Sequence, residues 1–488
     1  MRKHKRNREN PGLGLAGWIV SLVQAVLSVL VIVLIWRLGM LPTLVLAGVV
    51  VVLAVLWVVC RLLMGKAHRK PRFYVGFVLA ILISAALCVS GLFLNRIGDT
   101  LRGMTGAEYE TTEIGVYVLA DDPAQTITDA ADYTFGILGV QAREETDQVV
   151  KEINENLGSA IATAEYDDAA ALAQGLLDGQ CQAILINEGF LGVITETEGY
   201  ESFADQIREL DSYSLQSAIE QPETESDSLP EGVFTMYISG IDVAGDISTR
   251  SRSDVNILAV VNTNTHQVQL INTPRDYYVP LSISNGVKDK LTHAGIYGVD
   301  VSKDTLGMLY GIDINYYFRI NFSGFQELID ALGGITVNSD VEFDAGGYHF
   351  DQGANTVNGE QALAFARERK SFASGDRQRG QNQMAVITGV IQKMQSPAIL
   401  QNFSQLMDGI EGSFESDMPY ELMSELVRDQ LSGGGSWNVA STSVDGTGST
   451  ASTYSMNQPL YVMIPDEATV DHAKTLIQTV VDGGAASN

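Results

Sequence analysis

The chain has 488 residues, 45% apolar and 18% charged, with a formal net charge of −28. That length allows two or three domains of about 100–200 residues each, and so acidic a balance argues against a nucleic-acid partner. The charge is uneven: residues 1–94 hold 11 Lys/Arg and one acid, Glu9, leaving 20 basic and 58 acidic residues in 95–488. A basic end joined to an acidic body suggests a membrane between two compartments.

Hydropathy places that membrane. Leu13–Trp36, Leu38–Val59 and Phe73–Leu94 are three apolar runs, each long enough for a hydrocarbon core that needs about 20 residues. The first is too long, and too closely followed by others, for a cleaved signal peptide. Arg2, Lys3, Lys5, Arg6 and Arg8 precede it, and Arg61, Lys66, Arg69, Lys70 and Arg72 separate the second run from the third. The positive-inside rule then puts residues 1–12 and the second loop in the cytoplasm and residues 95–488 outside. Cys60 and Cys88 belong to the spans or their edges and Cys181 is alone outside, so the exterior part has no internal disulfide. A large secreted region without disulfides points to a bacterial cell membrane.

Residues 95–112 read as a polar stalk. Residues 113–210 read as a small α/β accessory domain. Its strands are Ile114–Leu119 and Ala183–Ile186, and its helices Arg143–Leu157 and Ala169–Leu177. Asp167-Asp168 there reads as a helix start rather than a metal site. Residues 211–232, with QPETESDSLPEG, read as a linker.

From 233 to 488 the pattern is a large αβα domain with a mixed central sheet. Val233–Ser239, Asp254–Val261 and Val268–Asn272 are predicted strands, with Asn262-Thr263-Asn264 as a turn. In an antiparallel meander, alternate ends share one sheet edge. Asp242, Arg252, Asp254, Arg275 and Asp276 therefore gather on one rim. They could form a salt-bridge cluster. Alternatively, Asp242 and Asp254 hold a hard divalent cation while the arginines hold a phosphate. His293 reads as a packing or hydrogen-bonding residue, and Asp276 as a weak base candidate or an orienter of Arg275.

Ile314–Ile320 is an alternating strand, followed by a helix capped by Ser323 and stopped at Gly333-Gly334, then a strand at Ile335–Val337. Asn358 and Gln361 form a capping box for a short helix ending near Arg367. Arg367 and Arg369, two apart on an extended segment, can face one ligand. Arg379 comes just before a second apolar helix, Met384–Met394. Crowded guanidinium groups repel unless an anion lies among them, and their planar fork suits phosphate oxygens. Residues 444–451 read as a surface loop. Strands follow near Trp437–Ala440 and at Tyr461–Ile464, and a last helix at Ala468–Val481.

Assembled, ISGID (238–242), RSDVNIL (252–258), INTPRDYYV (271–279), KLTHAGIYG (290–298), INFSGFQELIDALGGITV (320–337) and NGEQALAFARERKSFASGDRQRGQNQ (358–383) resemble the LytR-CpsA-Psr family. The resemblance implies an extracytoplasmic phosphotransferase. It would move an undecaprenyl-pyrophosphate-linked anionic glycopolymer, such as a capsular polysaccharide or teichoic acid, to a muramic acid hydroxyl of peptidoglycan. It makes Asp242 and Asp254 ligands of Mg2+, with Mn2+ as the substitute. It makes Arg252, Arg275, Arg367, Arg369 and Arg379 pyrophosphate ligands, with Gln383 at the site. Hydrolysis of the same lipid, or non-enzymatic anchoring to wall polymer, are the alternatives.

Overall fold

The structure is a computed structural model, and it describes residues 11–65, 70–104, 109–219, 229–241, 246–372, 375–394, 413–433 and 435–487. Three helices, α1 (Pro11–Leu38), α2 (Thr43–Met64) and α3 (Lys70–Met104), are long and apolar enough to cross a membrane. Cys60 and Met64 near the end of α2 and Phe73 and Ala80 near the start of α3 form a buried cluster. The side chains turned outward are Leu, Val, Ile and Trp, as a lipid solvent requires. Of the expected stalk at 95–112, residues 95–104 are helical and 109–112 open the first strand, while 105–108 lie outside the described residues. Helix α3 runs on through its polar end, where Asn95 Nδ2 donates to Asp99 Oδ2 one turn later at 2.7 Å.

A separate body holds the rest of the described chain apart from 419–433. Its first part is an α/β domain of β1 (Tyr109–Leu119), β2 (Thr134–Leu138), α4 (Arg143–Leu157), β3 (Ala162–Tyr166), α5 (Ala169–Leu177), β4 (Ala183–Asn187), α6 (Leu191–Thr195) and β5 (Ile207–Ala218). The sheet order is β3-β2-β4-β1-β5. Asp168 caps α5, its side chain accepting from Ala171 N, as the sequence suggested. The expected linker is displaced: residues 207–218 pair along the whole of β1, from Tyr109↔Ala218 to Leu119↔Ile207. Backbone pairing with a long partner outweighs polar composition there.

The larger domain is built on a six-stranded mixed sheet. Strands β6 (Val233–Ile241), β7 (Ser253–Asn262) and β8 (Gln267–Asn272) form the expected antiparallel meander. Strand β9 (Tyr316–Asn321) lies parallel to β6. Strands β10 (Phe414–Ser416) and β11 (Asn438–Ser443) complete the two edges, giving the order β10-β9-β6-β7-β8-β11. Both faces are covered, because β7 alternates between two cores. Leu258 and Val260 pack with Leu306 and Tyr310 of α7 (Val299–Tyr310) and with Val470, Ala473 and Ile477 of α12 (Glu467–Val481). Ile257 and Ala259 pack with Met384 of α10 (Asp376–Met394) on the other face.

Other expectations shift. Asn321, not Ser323, caps α8 (Phe322–Ala331), its Oδ1 accepting from Gly324 N at 2.8 Å. The capping box of α9 (Gly359–Arg367) is present as read. Helix α10 begins at Asp376 rather than Met384, since its polar first two turns are helical before the apolar face begins. The expected loop at 444–451 is largely a strand: Gly446–Ala451 pairs with Leu460–Pro465. A Cβ at Gly446 would stand 2.4 Å from the Ile464 carbonyl oxygen, so glycine permits that pairing. Helix α11 (Tyr420–Leu431) groups with the membrane helices.

Candidate active site

The site is built outward from Ser253. That residue is buried at the start of β7, 2.7 Å from Ser239 Oγ and 2.9 Å from the Tyr237 hydroxyl. Opposite Gly240 and Ile241 the register of β7 shifts, leaving Asp254 as the extra residue between Ser253 and Val255, and such a bulge re-aims a side chain beside Arg252 at the strand's start. Strand β8 leads through Thr273-Pro274 to Arg275, which meets them: its Nη1 donates to Asp254 Oδ1 at 2.9 Å. Arg275 Nε lies 3.7 Å from Asp276 Oδ2, within ion-pair range but beyond hydrogen-bond distance.

A turn at Leu291–Ile296 supports this rim. Thr292 N donates to the Arg275 carbonyl at 2.9 Å, and Thr292 Oγ1 is 3.5 Å from Asp254 Oδ1. A Cβ at Gly295 would stand 2.3 Å from the Ser251 carbonyl oxygen, so only glycine lets the turn lie this close. Lys290 Nζ reaches Asp276 Oδ1 at 3.3 Å. His293 is fully buried and its Nδ1 is 2.7 Å from Asp289 Oδ1, the hydrogen-bonding role expected of it.

Arg379 arrives from the first turn of α10 and is nearly buried. A Cβ at Gly380 would stand 2.2 Å from the Asn272 amide, which shows how tightly α10 crosses the end of β8. Gln383, one turn on and on the same face, is also buried. Burial alone would raise the Asp254 carboxyl, but Arg275, Arg379 and Arg252 outweigh it and hold the group below its usual range.

The accessory domain supplies one more charge. Glu196, just past α6, places Oε1 2.6 Å from Arg252 Nη1 and 3.5 Å from Arg275 Nη2, and Oε2 2.7 Å from Lys290 Nζ. Burial would raise this carboxyl too, yet Lys290, Arg275 and Arg252 bring it down to about 2.

Arg275 therefore bonds Asp254, Arg252 joins it through Glu196, and Arg379 acts on the same carboxylate by its charge, from three separated stretches. Arg367 and Arg369 are exposed at and after the end of α9, and the Arg367 guanidinium stacks 4.2 Å from the Phe322 ring centre. Neither makes an ion pair with the cluster among the described residues. Asp242 lies outside the described residues; it follows Ile241, whose register partner is Ser253.

Residues 203–475 match the LytR_cpsA_psr family. The chain belongs to that family. A polyisoprenyl-teichoic acid–peptidoglycan teichoic acid transferase, TagU, of Enterococcus faecalis is 34% identical over 217 residues, covering 44% of this chain and 71% of the relative. The Oceanobacillus iheyensis protein of that name is 32% identical over 240 residues, covering 48% and 71%. The crystal structure of Bacillus subtilis TagU, 26% identical, covers 51% of this chain and 97% of its own, with a TM-score of 0.41.

Two residues of this LytR-CpsA-Psr site escaped sequence reasoning. Lys290 lies in a recognised motif, but nothing in that motif says its amine turns to the rim. Glu196 is one of 58 acids in the body and lies in another domain, so no local pattern marks it.

Proposed function

We propose that the protein is an extracytoplasmic transferase that moves a polyisoprenyl-pyrophosphate-linked glycopolymer, teichoic acid or a similar anionic polymer, to peptidoglycan. The observation that carries this reading is the cationic cluster at the sheet rim, where Arg275 bonds Asp254, Arg252 and Arg275 share Glu196, and the charge of Arg379 also acts on Asp254. Three guanidinium groups from separate chain stretches suit a ligand with several anionic oxygens. The TagU relatives are named as transferases of polyisoprenyl-teichoic acid to peptidoglycan, which supports a polyisoprenyl-linked donor.

The arginines bind and orient the pyrophosphate and offset charge on the phosphoryl oxygens as it redistributes. An acceptor hydroxyl forms a new P–O bond at the sugar-linked phosphorus while the bond to the lipid phosphate breaks. Polyprenyl monophosphate and one proton leave. Arg367 and Arg369, exposed at the end of α9, extend the cationic surface for the polymer. No group of three or more metal-ligating residues stands together among the described residues, but the contacts of Asp254 there fall on Oδ1, which leaves Oδ2 as one donor for a hard divalent cation. Asp254 and Asp242 would hold Mg2+, or Mn2+, and when bound the ion would polarise a phosphoryl oxygen. The basic flanks of the first three helices support an orientation with residues 1–12 in the cytoplasm and the catalytic body outside.

The test is full-length protein in nanodiscs with a synthetic polyprenyl-pyrophosphate sugar, peptidoglycan fragments and magnesium. The expected product is a phosphodiester-linked sugar on peptidoglycan, released with polyprenyl monophosphate. Sugar phosphate formed equally without the acceptor would make the protein a hydrolase. Binding with no turnover would make it a wall-anchoring protein.

A further inference from the structure

The carboxylate of Glu196 stands among three cations of the site, yet it belongs to the accessory domain. It is not held there by its own helix, because the C-terminal end of a helix disfavours a negative charge. The cations hold it, with Arg252 and Lys290 both within 2.7 Å. The same helix makes room for Arg252: a Cβ at Gly192 would stand 2.5 Å from the Arg252 Cζ. Space at Gly192 and charge at Glu196 are thus two features of one short segment directed at one arginine. The domain that carries them is fixed. Thr111 N donates to the Ser248 carbonyl at 2.9 Å, and Arg250 N to the Thr111 carbonyl at 2.8 Å.

We propose that Glu196 is a positioning residue of the transferase, through which the accessory domain holds Arg252, Arg275 and Lys290 as one set for the donor pyrophosphate. The proposal rests on the transferase reading of the site. Among the described residues, Glu196 is the acid paired with Arg252. Without it, a long side chain with large rotamer freedom must be ordered by the ligand itself. Glu196 does not use up the site: it takes one Nη of Arg252, whose guanidinium has about five N–H donors. The remaining donors can meet phosphate oxygens while Glu196 stays in place.

The experiment titrates geranyl pyrophosphate into detergent-solubilised full-length protein by calorimetry, with magnesium present. The variants are Glu196→Gln, Glu196→Asp, Arg252→Ala and the Glu196→Gln/Arg252→Ala double. Losing a charge-assisted contact that pre-organises the arginine should weaken binding about tenfold in Glu196→Gln. Glu196→Asp should recover part of it. Arg252→Ala should weaken binding at least as much, and adding Glu196→Gln to it should cost much less than it does alone. That coupling separates positioning from general support of the fold. Wild-type affinity in Glu196→Gln, with Arg252→Ala weakened, overturns the proposal and leaves the site reading intact. Wild-type affinity in Arg252→Ala overturns the site reading itself. Tighter binding in Glu196→Gln makes Glu196 a competitor of the ligand and also overturns the proposal. If Glu196→Gln does not fold, Gly192→Ala carries the test by crowding Arg252 directly. Weakened binding is expected there, and wild-type affinity overturns the proposal.

Discussion

Arg275 shows what one side chain is asked to do at this site. Burial works against its charge, but Asp254, Asp276 and Glu196 raise its affinity for the proton further. Replacing Arg275 or Arg379 with Ala should weaken pyrophosphate-lipid binding by about 1.5–3 kcal/mol, the usual worth of a hydrogen bond to a charged group. Lysine should restore only part, since it keeps the charge and loses the fork. Ligand-induced shifts in melting temperature are the measurement, and shifts equal to wild type in both Ala variants would remove these arginines from the site. Asp417 yields a pH prediction. Burial pushes its carboxyl up from 3.8 to about 6, with Lys303 offsetting only part. An acid whose folded value is raised binds its proton more tightly when folded. Its contribution is therefore full below about pH 4 and is lost as pH rises through about 6. Asp417→Asn should flatten stability across that window, as read by melts from pH 4 to pH 7. The arginines were legible in sequence because charged residues at strand ends have no packing explanation. Glu196 was not, because it reaches the site through tertiary contact alone.

Strand β9 shows where an alternating pattern misleads. By hydrophobicity Tyr316, Phe318 and Ile320 should face inward. The strand instead buries Tyr317, Arg319 and Asn321 and leaves the other three half-buried. The reason is an ion network. Arg319 Nη1 is 2.6 Å from Glu110 Oε1 of β1, and Nη2 is 2.7 Å from Glu415 Oε1 of β10. Arg250 Nε adds a contact to Glu110 at 3.2 Å, and the Tyr317 hydroxyl donates to Glu415 at 2.8 Å. This network locks the accessory domain to the central sheet. Period-2 reading found the strand and could not find its buried face, because the burial is satisfied by charge. Arg319→Met should destabilise the folded body by about 3–5 kcal/mol, since it leaves the buried Glu415 without a cation and Glu110 with Arg250 alone. Urea unfolding of the purified protein measures it. A loss under about 1 kcal/mol, the range of exposed pairs, would mean the network is solvated.

The membrane helices and helix α11 settle how the chain's distant parts share one end of the bundle. The last carbonyls of a helix lack internal partners, and the Tyr420 hydroxyl supplies one, donating to the Leu38 carbonyl at the end of α1 at 2.8 Å. The Arg102 guanidinium, near the end of α3, lies 5.6 Å from the Tyr420 ring centre. The ends of α1 and α3 and a helix that lies in the chain between β10 and β11 are therefore together. Hydropathy made the three spans legible. It could not show that α11 returns to them, because YELMSELVRDQL reads as an ordinary amphipathic helix. The basic flanks predict that this end lies outside the cell. A paired substitution tests contact and orientation at once. A Cβ at Gly39 would lie 3.9 Å from the Ser424 Cβ, within the span of about 3.5–4.5 Å that a disulfide bridges. The positive φ of 67° at Gly39 adds strain of about 1–2 kcal/mol for a cysteine there, less than the typical stabilisation of about 2–4 kcal/mol by a disulfide. Gly39→Cys/Ser424→Cys, with Cys88→Ser to remove an exposed thiol, should cross-link in intact cells treated with a membrane-impermeant oxidant. Cross-linking only after lysis would invert the orientation. No cross-link under either condition would separate α11 from the membrane helices.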